Sequence, residues 1–489
     1  MTPQGVFIRH PDKLFIGGEW VAPLSGKQIE IVNPNSEDVV ARVAEAGDAD
    51  MDRAIAAARQ AFDHGPWPTT PPAERGALLM KMIDLLEPRV PELAAAWTAQ
   101  VGGLASFAPM MHGGAIAGLR GIASLGQSFE WVTQQKGQVV DTAIVAREPV
   151  GVVVGIAPWN APFGIMANKV FYALVAGCPI IMKPSPETPL EAYIIAEAAE
   201  AAGLPAGTVN LVPSEREAAD HLIRSTDIDK VSFTGSSAAG MHIAGVCGSK
   251  MTRCTMELGG KSAAIIRDDF PIEAAAGILG NTITVMSGQV CAMLSRAIVT
   301  RDRHDELADA IAGVMKGIRI GNSEDPATQL GPLAMKRQLE RVEMYVAEGK
   351  KTADLVTGGS RPAHMNEGYF MEPTLFANVD NTSRIAQEEI FGPVLCLIPA
   401  EDEEDAIRIA NESNFGLNGS VFTHDVQAAY DVSRRVRTGV MGQNGMRMEF
   451  GMPFGGFKQS GMGREGGPEG LWPYVETKTI LLDGAPARL

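Results

Sequence analysis

Between 150 and 235 the sequence alternates short apolar runs with helix-length stretches: GVVVGIAP, FGIMANKVFYALVAG, CPIIMK, PLEAYIIAEAAEAAG, TVNLVP, EREAADHLIRS and KVSFTG. Four β-branched runs separated in this way are the pattern of βαβ units, because parallel strands can be joined only by crossovers. The runs are almost continuously apolar, so the expected parallel sheet is covered by helices on both faces. A second α/β series opens at KSAAIIRDD (261–269) and continues through RAIVTRD and DELADAIAGVMKGI past Pro393, which places a second domain boundary at the Gly-rich ELGGKS. At roughly 100–200 residues per domain, 489 residues also exceed one compact core. Helical spacing is read over 38–63 and 75–100, with Asp48 or Asp50 as the first N-cap, making the first hundred residues largely helical. The Gly/Pro-rich 451–468 and 483–487 read as loops or tails.

Charge narrows the partners. Lysine and arginine total 42 against 58 aspartate and glutamate, a net charge of −16 that repels nucleic acid and anionic lipid. A small-molecule substrate is expected, with no nucleic-acid or membrane partner. The longest apolar stretch, 150–182, is interrupted by Pro158, Asn160, Pro162, Lys169 and Pro179, so it is not a membrane span. The opening MTPQGVFIRHPDKLF lacks the pattern of a secretory signal, and five cysteines without a CxxC pair signal neither a disulfide framework nor a zinc ribbon. The expectation is a protein of the reducing cytoplasm. Eight scattered histidines show no ligand spacing, and no metal site is inferred.

Two local patterns carry chemistry. KVSFTG runs into SSAAGMHIAGVCGS, placing Gly235 and Gly240 around Ser236 at a helix start, where free N–H groups favour a phosphate. By pattern alone a plain tight turn is an equal reading. The literal GxGxxG at Gly461, Gly463 and Gly466 follows FGGFKQS rather than an apolar strand and is rejected as a dinucleotide fingerprint. Cys178, Cys247, Cys254 and Cys396 are read as buried small hydrophobes, whereas Cys291, in SGQVCAMLSR, is flanked by Gly288 and polar residues and is a candidate thiolate nucleophile.

Cys291 in GQVC, Glu257 in MELGGKS, Asn160 in PWNAPF, Lys183 in KPSPETP, FTGSSAAG, EEIFGPV and PFGGFKQSGMGRE together resemble the aldehyde dehydrogenase superfamily, in its order and at its spacings, over nearly the whole chain. Glu257 stands 34 residues before Cys291, a characteristic separation. The resemblance implies an α/β fold with a doubly wound parallel-sheet cofactor domain (1–128 and 147–260), an α/β catalytic domain (261–456), and a small β oligomerisation element with the C-terminal tail (129–146 and 457–489). It implies a homodimer or homotetramer that takes NAD, with NADP not excluded.

The same resemblance supplies roles. Cys291 attacks an aldehyde, Asn160 and the cysteine's own N–H bind the oxyanion, and Glu257 activates the water that hydrolyses the thioester, with Lys169 and Glu465 near the same site. Cofactor contacts fall on Pro158, Trp159, Lys183, Ser185, Glu187, Gly235, Ser236, Gly240, Leu258, Gly259, Glu389 and Phe391. The position that in many NAD-specific members holds a ribose-binding glutamate is Pro186 here, with Glu187 one place later. Substrate contacts fall on Ala161, Asn168, Val290, Ala292, Met446, Met448 and Phe450, with Met110 and Met111 bordering the same tunnel. Ala161 and Asn168 stand where small-aldehyde members carry aromatics, which widens the tunnel toward a bulky apolar or aromatic aldehyde. Arg447, if turned inward, would select a semialdehyde. The rival in which coenzyme A resolves the thioester is disfavoured by Glu257, a Cys–His hydrolase lacks a marked histidine, and a silent structural relative would not keep Cys291, Glu257 and Asn160.

Overall fold

The computed structural model describes residues 3–449 and 451–488. The four apolar runs form the strands Val153–Ile156, Ile180–Lys183, Val209–Leu211 and Lys230–Thr234, buried throughout, and Arg253–Glu257 adds a fifth. All five are parallel, in the spatial order 209–211, 180–183, 153–156, 230–234, 253–257. The chain enters at the centre, winds outward through two strands, and returns to the other side of its starting strand. The crossovers on either side of 153–156 and 230–234 therefore diverge, opening a crevice at the carboxyl ends of the strands.

Antiparallel strands finish the edges: Leu14–Ile16 and Glu19–Val21 on one side, Gly461–Met462 on the other. Gly461 has φ 140°, and a Cβ there would fall 1.9 Å from the Met256 carbonyl, so only glycine permits this pairing. The tail after 457 thus divides. Gly461–Met462 joins the first sheet, and Val475–Leu482 pairs with Thr142–Pro149, which pairs in turn with Val132–Gln135 in a separate three-stranded antiparallel sheet.

The second large sheet has the order 354–357, 374–377, 394–400, 294–300, 262–266, 419–422, 442–443, parallel except at its first strand. Its core and that of the first sheet are separate apolar clusters.

The N-terminal expectation needs correction. Val39–Ala44 is a strand paired with Gln28–Val32, and the helix begins only at Asp48–Asp63. Apolar residues at 39, 40 and 43 satisfy helical spacing over so short a run, and the outcome is set by cross-strand pairing. The N-cap is Gly47, and Asp50 reaches back from inside the helix to accept from the Gly47 N–H at 3.2 Å and the Leu24 N–H at 3.1 Å.

Candidate active site

The segment leaving Val153–Ile156 carries Pro158, Trp159 and Asn160 before Pro162 opens the helix Pro162–Ala176. Asn160 is buried, and its amide Nδ2 donates to the Gln289 carbonyl at 2.8 Å, two residues before Cys291. That loop is strained. Met286 (φ 52°), Ser287 (φ 56°) and Gly288 (φ 73°) are all left-handed, and a Cβ on Gly288 would lie 2.1 Å from the Gly392 carbonyl. The loop is held by Gln289, whose Nε2 donates to the Met286 carbonyl and whose Oε1 accepts from the Ala334 N–H, both at 3.0 Å, and by Ser287 Oγ donating to the Gly331 carbonyl at 2.9 Å. Cys291 itself is half-buried. Burial, with Glu389 and Glu257 nearby, pushes its thiol up to about 12. That shift favours the thiol, and a nearby base or cation would favour the thiolate.

Glu257 ends its strand with both carboxyl oxygens buried and unpaired among the described residues. The backbone of Gly455 (φ 153°) packs on it so closely that a Cβ would lie 2.6 Å from Oε1. Burial first, then repulsion from Glu465, raises its pKa well above the usual carboxylate range, against the opposing charges of Lys169 and Arg464. Lys169, fully buried on the helix Pro162–Ala176, contacts Glu465 Oε1 at 2.5 Å and donates to Ser232 Oγ at 3.2 Å. A buried carboxyl without a partner is costly as a structural element and marks a functional group.

Along the crevice, Lys183 ends the strand Ile180–Lys183 and is buried, which pushes its ammonium down to about 8 although Glu187 and Glu215 favour the charge. For Glu187 burial opposes ionisation, but Arg337 at 2.5 Å and the Ser185 hydroxyl outweigh it and hold the carboxyl below its usual range. Ser236 caps the helix Ser237–Lys250, its Oγ accepting from the Ala239 N–H at 3.3 Å. Gly240 packs against Leu258, where a Cβ would meet the leucine at 2.4 Å. Glu389 accepts from the Gly260 N–H at 3.0 Å, leaves no room for a Cβ on Gly259, and is pushed up to about 7 by burial. Phe391 stands edge-on to Trp159, centroids 5.3 Å apart.

Not every expected substrate residue faces open space. Ala161, Asn168, Val290 and Met446 are half-buried and Met448 is exposed, but Ala292 is fully buried, its carbonyl accepting from Asn418 Nδ2 at 2.9 Å. Phe450 lies outside the described residues. Beside Asn160, an apolar patch unites Phe107, Met111, Trp159, Met286 and Met335 over Trp97 and Val101, whereas Met110 is exposed outside it. Phe107, Met286 and Met335, like Gln289 and Arg337, come from separate elements that no periodicity links. Cys254, expected to be buried, is half-buried instead, beside Met462. Among the described residues no group of side chains is arranged to hold a metal ion, and no helix is long and apolar enough to cross a membrane.

Fold and site define an α/β enzyme whose cysteine, asparagine and buried glutamate converge where a doubly wound sheet meets a second one. The aldehyde dehydrogenase family model matches residues 20–480, and the chain belongs to that family. It is 40% identical over 472 residues to a geranial dehydrogenase of Castellaniella defragrans, covering 96% of this chain and 98% of the relative. It is 36% identical to a 3-succinoylsemialdehyde-pyridine dehydrogenase of a Pseudomonas species, covering 97% and 99%. Among solved structures, a Mycobacterium tuberculosis aldehyde dehydrogenase complexed with NAD+ superposes with TM-score 0.94 at 42% identity, covering 97% of this chain and 98% of that one. A mutant aldehyde dehydrogenase C of Pseudomonas syringae, crystallised with NAD+ and octanal, gives 0.94 at 37% identity, covering 99% of each.

Proposed function

We propose that this chain oxidises a bulky apolar aldehyde to the carboxylic acid, with NAD+ as cofactor. The observation that carries the reading is the Asn160 amide, fixed 2.8 Å from the carbonyl two residues before Cys291, in a crevice that also holds the unpaired Glu257 carboxyl. Cys291 gives up its thiol proton to solvent, Sγ bonds to the aldehyde carbon as the carbonyl π pair moves to oxygen, and the resulting oxyanion takes the second N–H of Asn160 together with the cysteine's backbone N–H. Bound NAD+ supplies the acceptor for the hydride that the tetrahedral adduct releases on becoming a thioester. Glu257, once deprotonated, draws a proton from water, which attacks the thioester and frees the acid and the Cys291 thiol. Lys169 and Glu465 set the charge that Glu257 feels.

The crevice fits the dinucleotide. Ser236 and Gly235 offer a helix start for the pyrophosphate, and Lys183, Ser185 and Glu187 line the position for the adenosine ribose. Pro158, Trp159, Leu258, Gly259, Glu389 and Phe391 would hold the nicotinamide half. The M. tuberculosis and P. syringae structures hold NAD+, which supports the assignment.

For the substrate, the patch of Phe107, Met111, Trp159, Met286 and Met335 favours an apolar chain, and thioethers repack around varied shapes. The names geranial dehydrogenase and octanal point the same way. Arg447 is exposed and donates from Nε to the Gln443 carbonyl at 3.2 Å, which does not support carboxylate selection. The deciding experiment is Cys291→Ala: formation of reduced cofactor from octanal is lost while NAD+ binding by calorimetry persists. Turnover that survives the substitution overturns the proposal.

A further inference from the structure

Asn160 is held at two points. Its side chain is tied to the Gln289 carbonyl, and its own carbonyl accepts from the Trp97 indole N–H at 2.9 Å. The helix that follows does not take that carbonyl into its regular hydrogen bonds, for its first bond runs from the Ile165 N–H to the Ala161 carbonyl at 3.2 Å, and Pro162 has no N–H. Without Trp97 a buried carbonyl would lack this donor, and the peptide that orients Asn160 could rotate.

Trp97 is itself immobilised beyond ordinary packing. It is fully buried on the helix Val90–Val101, and the backbone at Gly103 lies so flat against the ring that a Cβ there would fall 2.0–2.3 Å from three indole carbons. His112 meets it edge-on at 6.2 Å. His112 in turn is fixed by Glu191 Oε1 at 2.8 Å and the Ala108 carbonyl at 2.8 Å, and Gln100 Nε2 reaches the other Glu191 oxygen at 3.1 Å. This buried polar group takes no part in the chemistry above. It ties together three helices, the Val90–Val101 helix that carries Trp97 and Gln100, the Ala108–Ser128 helix of His112 and the Leu190–Ala202 helix of Glu191, so the indole N–H is aimed at one place.

We propose that Trp97 is a positioning residue for acylation: its N–H fixes the Asn160 peptide so that the amide's second hydrogen points at the oxyanion. The inference rests on the oxyanion role given to Asn160 above. Trp97→Phe keeps an aromatic ring and removes the N–H. With octanal and NAD+, the pre-steady-state burst of reduced cofactor should slow by about three- to tenfold, the usual worth of one hydrogen bond, while the NAD+ dissociation constant stays unchanged. In the Asn160→Ala background the same substitution should cost nothing further, because the group it positions is gone. Should Trp97→Phe misfold, benzothienylalanine at 97 preserves the indole shape without the N–H and answers the same question. An equal loss in both backgrounds would show a merely structural tryptophan and overturn the inference, as would no loss in either. If Asn160→Ala alone leaves the burst rate untouched, the oxyanion reading itself fails and takes this inference with it.

Discussion

Glu257 and Cys291 serve one crevice, yet one ends a buried parallel strand and the other follows three successive left-handed residues. The glutamate's position is fixed by a ladder: all five residues of Arg253–Glu257 pair with Lys230–Thr234. The cysteine precedes the strand Leu294–Thr300, so it lies at the amino end of the second sheet, after a loop anchored through the Gln289 and Ser287 side chains. Half-buried at the end of that loop, Cys291 is open on one side, whereas the Glu257 carboxyl lies in low dielectric, which favours its protonated form. Burial favours the neutral form of both groups, with the thiol pushed up to about 12 and the carboxyl's pKa raised well above its usual range.

The largest effect that would sharpen this contrast is at Glu257. Glu257→Gln retains the shape but cannot accept a proton, so steady-state turnover should fall about 10²–10⁴-fold. The first turnover should survive as a burst approaching one reduced cofactor per site, with an acyl mass on the Cys291 peptide. Disappearance of the burst would mean that Glu257 also deprotonates Cys291, and the division between the two regions would collapse.

On the loop side, Gly288→Ala attacks placement rather than chemistry. A methyl group would collide with the Gly392 backbone at a φ of 73°, so the loop must shift. Acylation should drop by about 10²-fold, the order that a misplacement of about 1 Å costs, while the melting temperature of a fold held by two separate cores changes little. Global unfolding instead would show that the loop is part of the core.

The contrast also separates what could be read in the sequence from what could not. The parallel sheet was legible because buried strands must be continuous apolar runs, and Cys291, Glu257, Asn160 and Lys183 could be singled out as candidates because each sits in a dense local motif that carries the family resemblance. Val39–Ala44 misled because six residues satisfy two periodicities at once. Gln289, Trp97 and Arg337 stayed hidden for a different reason. Their roles depend on partners 129, 63 and 150 positions away (Asn160 for the first two, Glu187 for the third), and such contacts are fixed only by tertiary packing.

A pH profile of the deacylation step tests the wired side. Its acid limb should follow Glu257, with activity rising as pH climbs through the raised pKa. Lys169 favours the charged carboxylate, so Lys169→Met should move the limb to higher pH. Glu465 repels it, so Glu465→Gln should move the limb lower and also free the Lys169 charge to act on Glu257. Shifts of the same sign for both variants would exclude Glu257 as the titrating group.

The smallest effect belongs to the ion pair that joins the regions. Arg337 lies in the first turn of the helix Lys336–Thr352 of the second region and meets Glu187, just beyond the strand Ile180–Lys183 of the first, at 2.5 Å. Its side chain is 64% exposed against 21% for the glutamate, so solvent screens the pair and its net worth is at most about 1 kcal/mol. Its influence should instead appear in cofactor choice. Paired with Arg337, the Glu187 charge is compensated where an adenosine ribose would lie, and a 2′-phosphate meets a cation as well as an anion. Arg337→Ala leaves an uncompensated carboxylate beside buried Lys183, so kcat/KM for NADP+ should fall about three- to fivefold more than for NAD+, an electrostatic difference that added salt should shrink. If both cofactors lose equally and salt has no influence, the pair is a structural clasp between the two regions and does not face the cofactor.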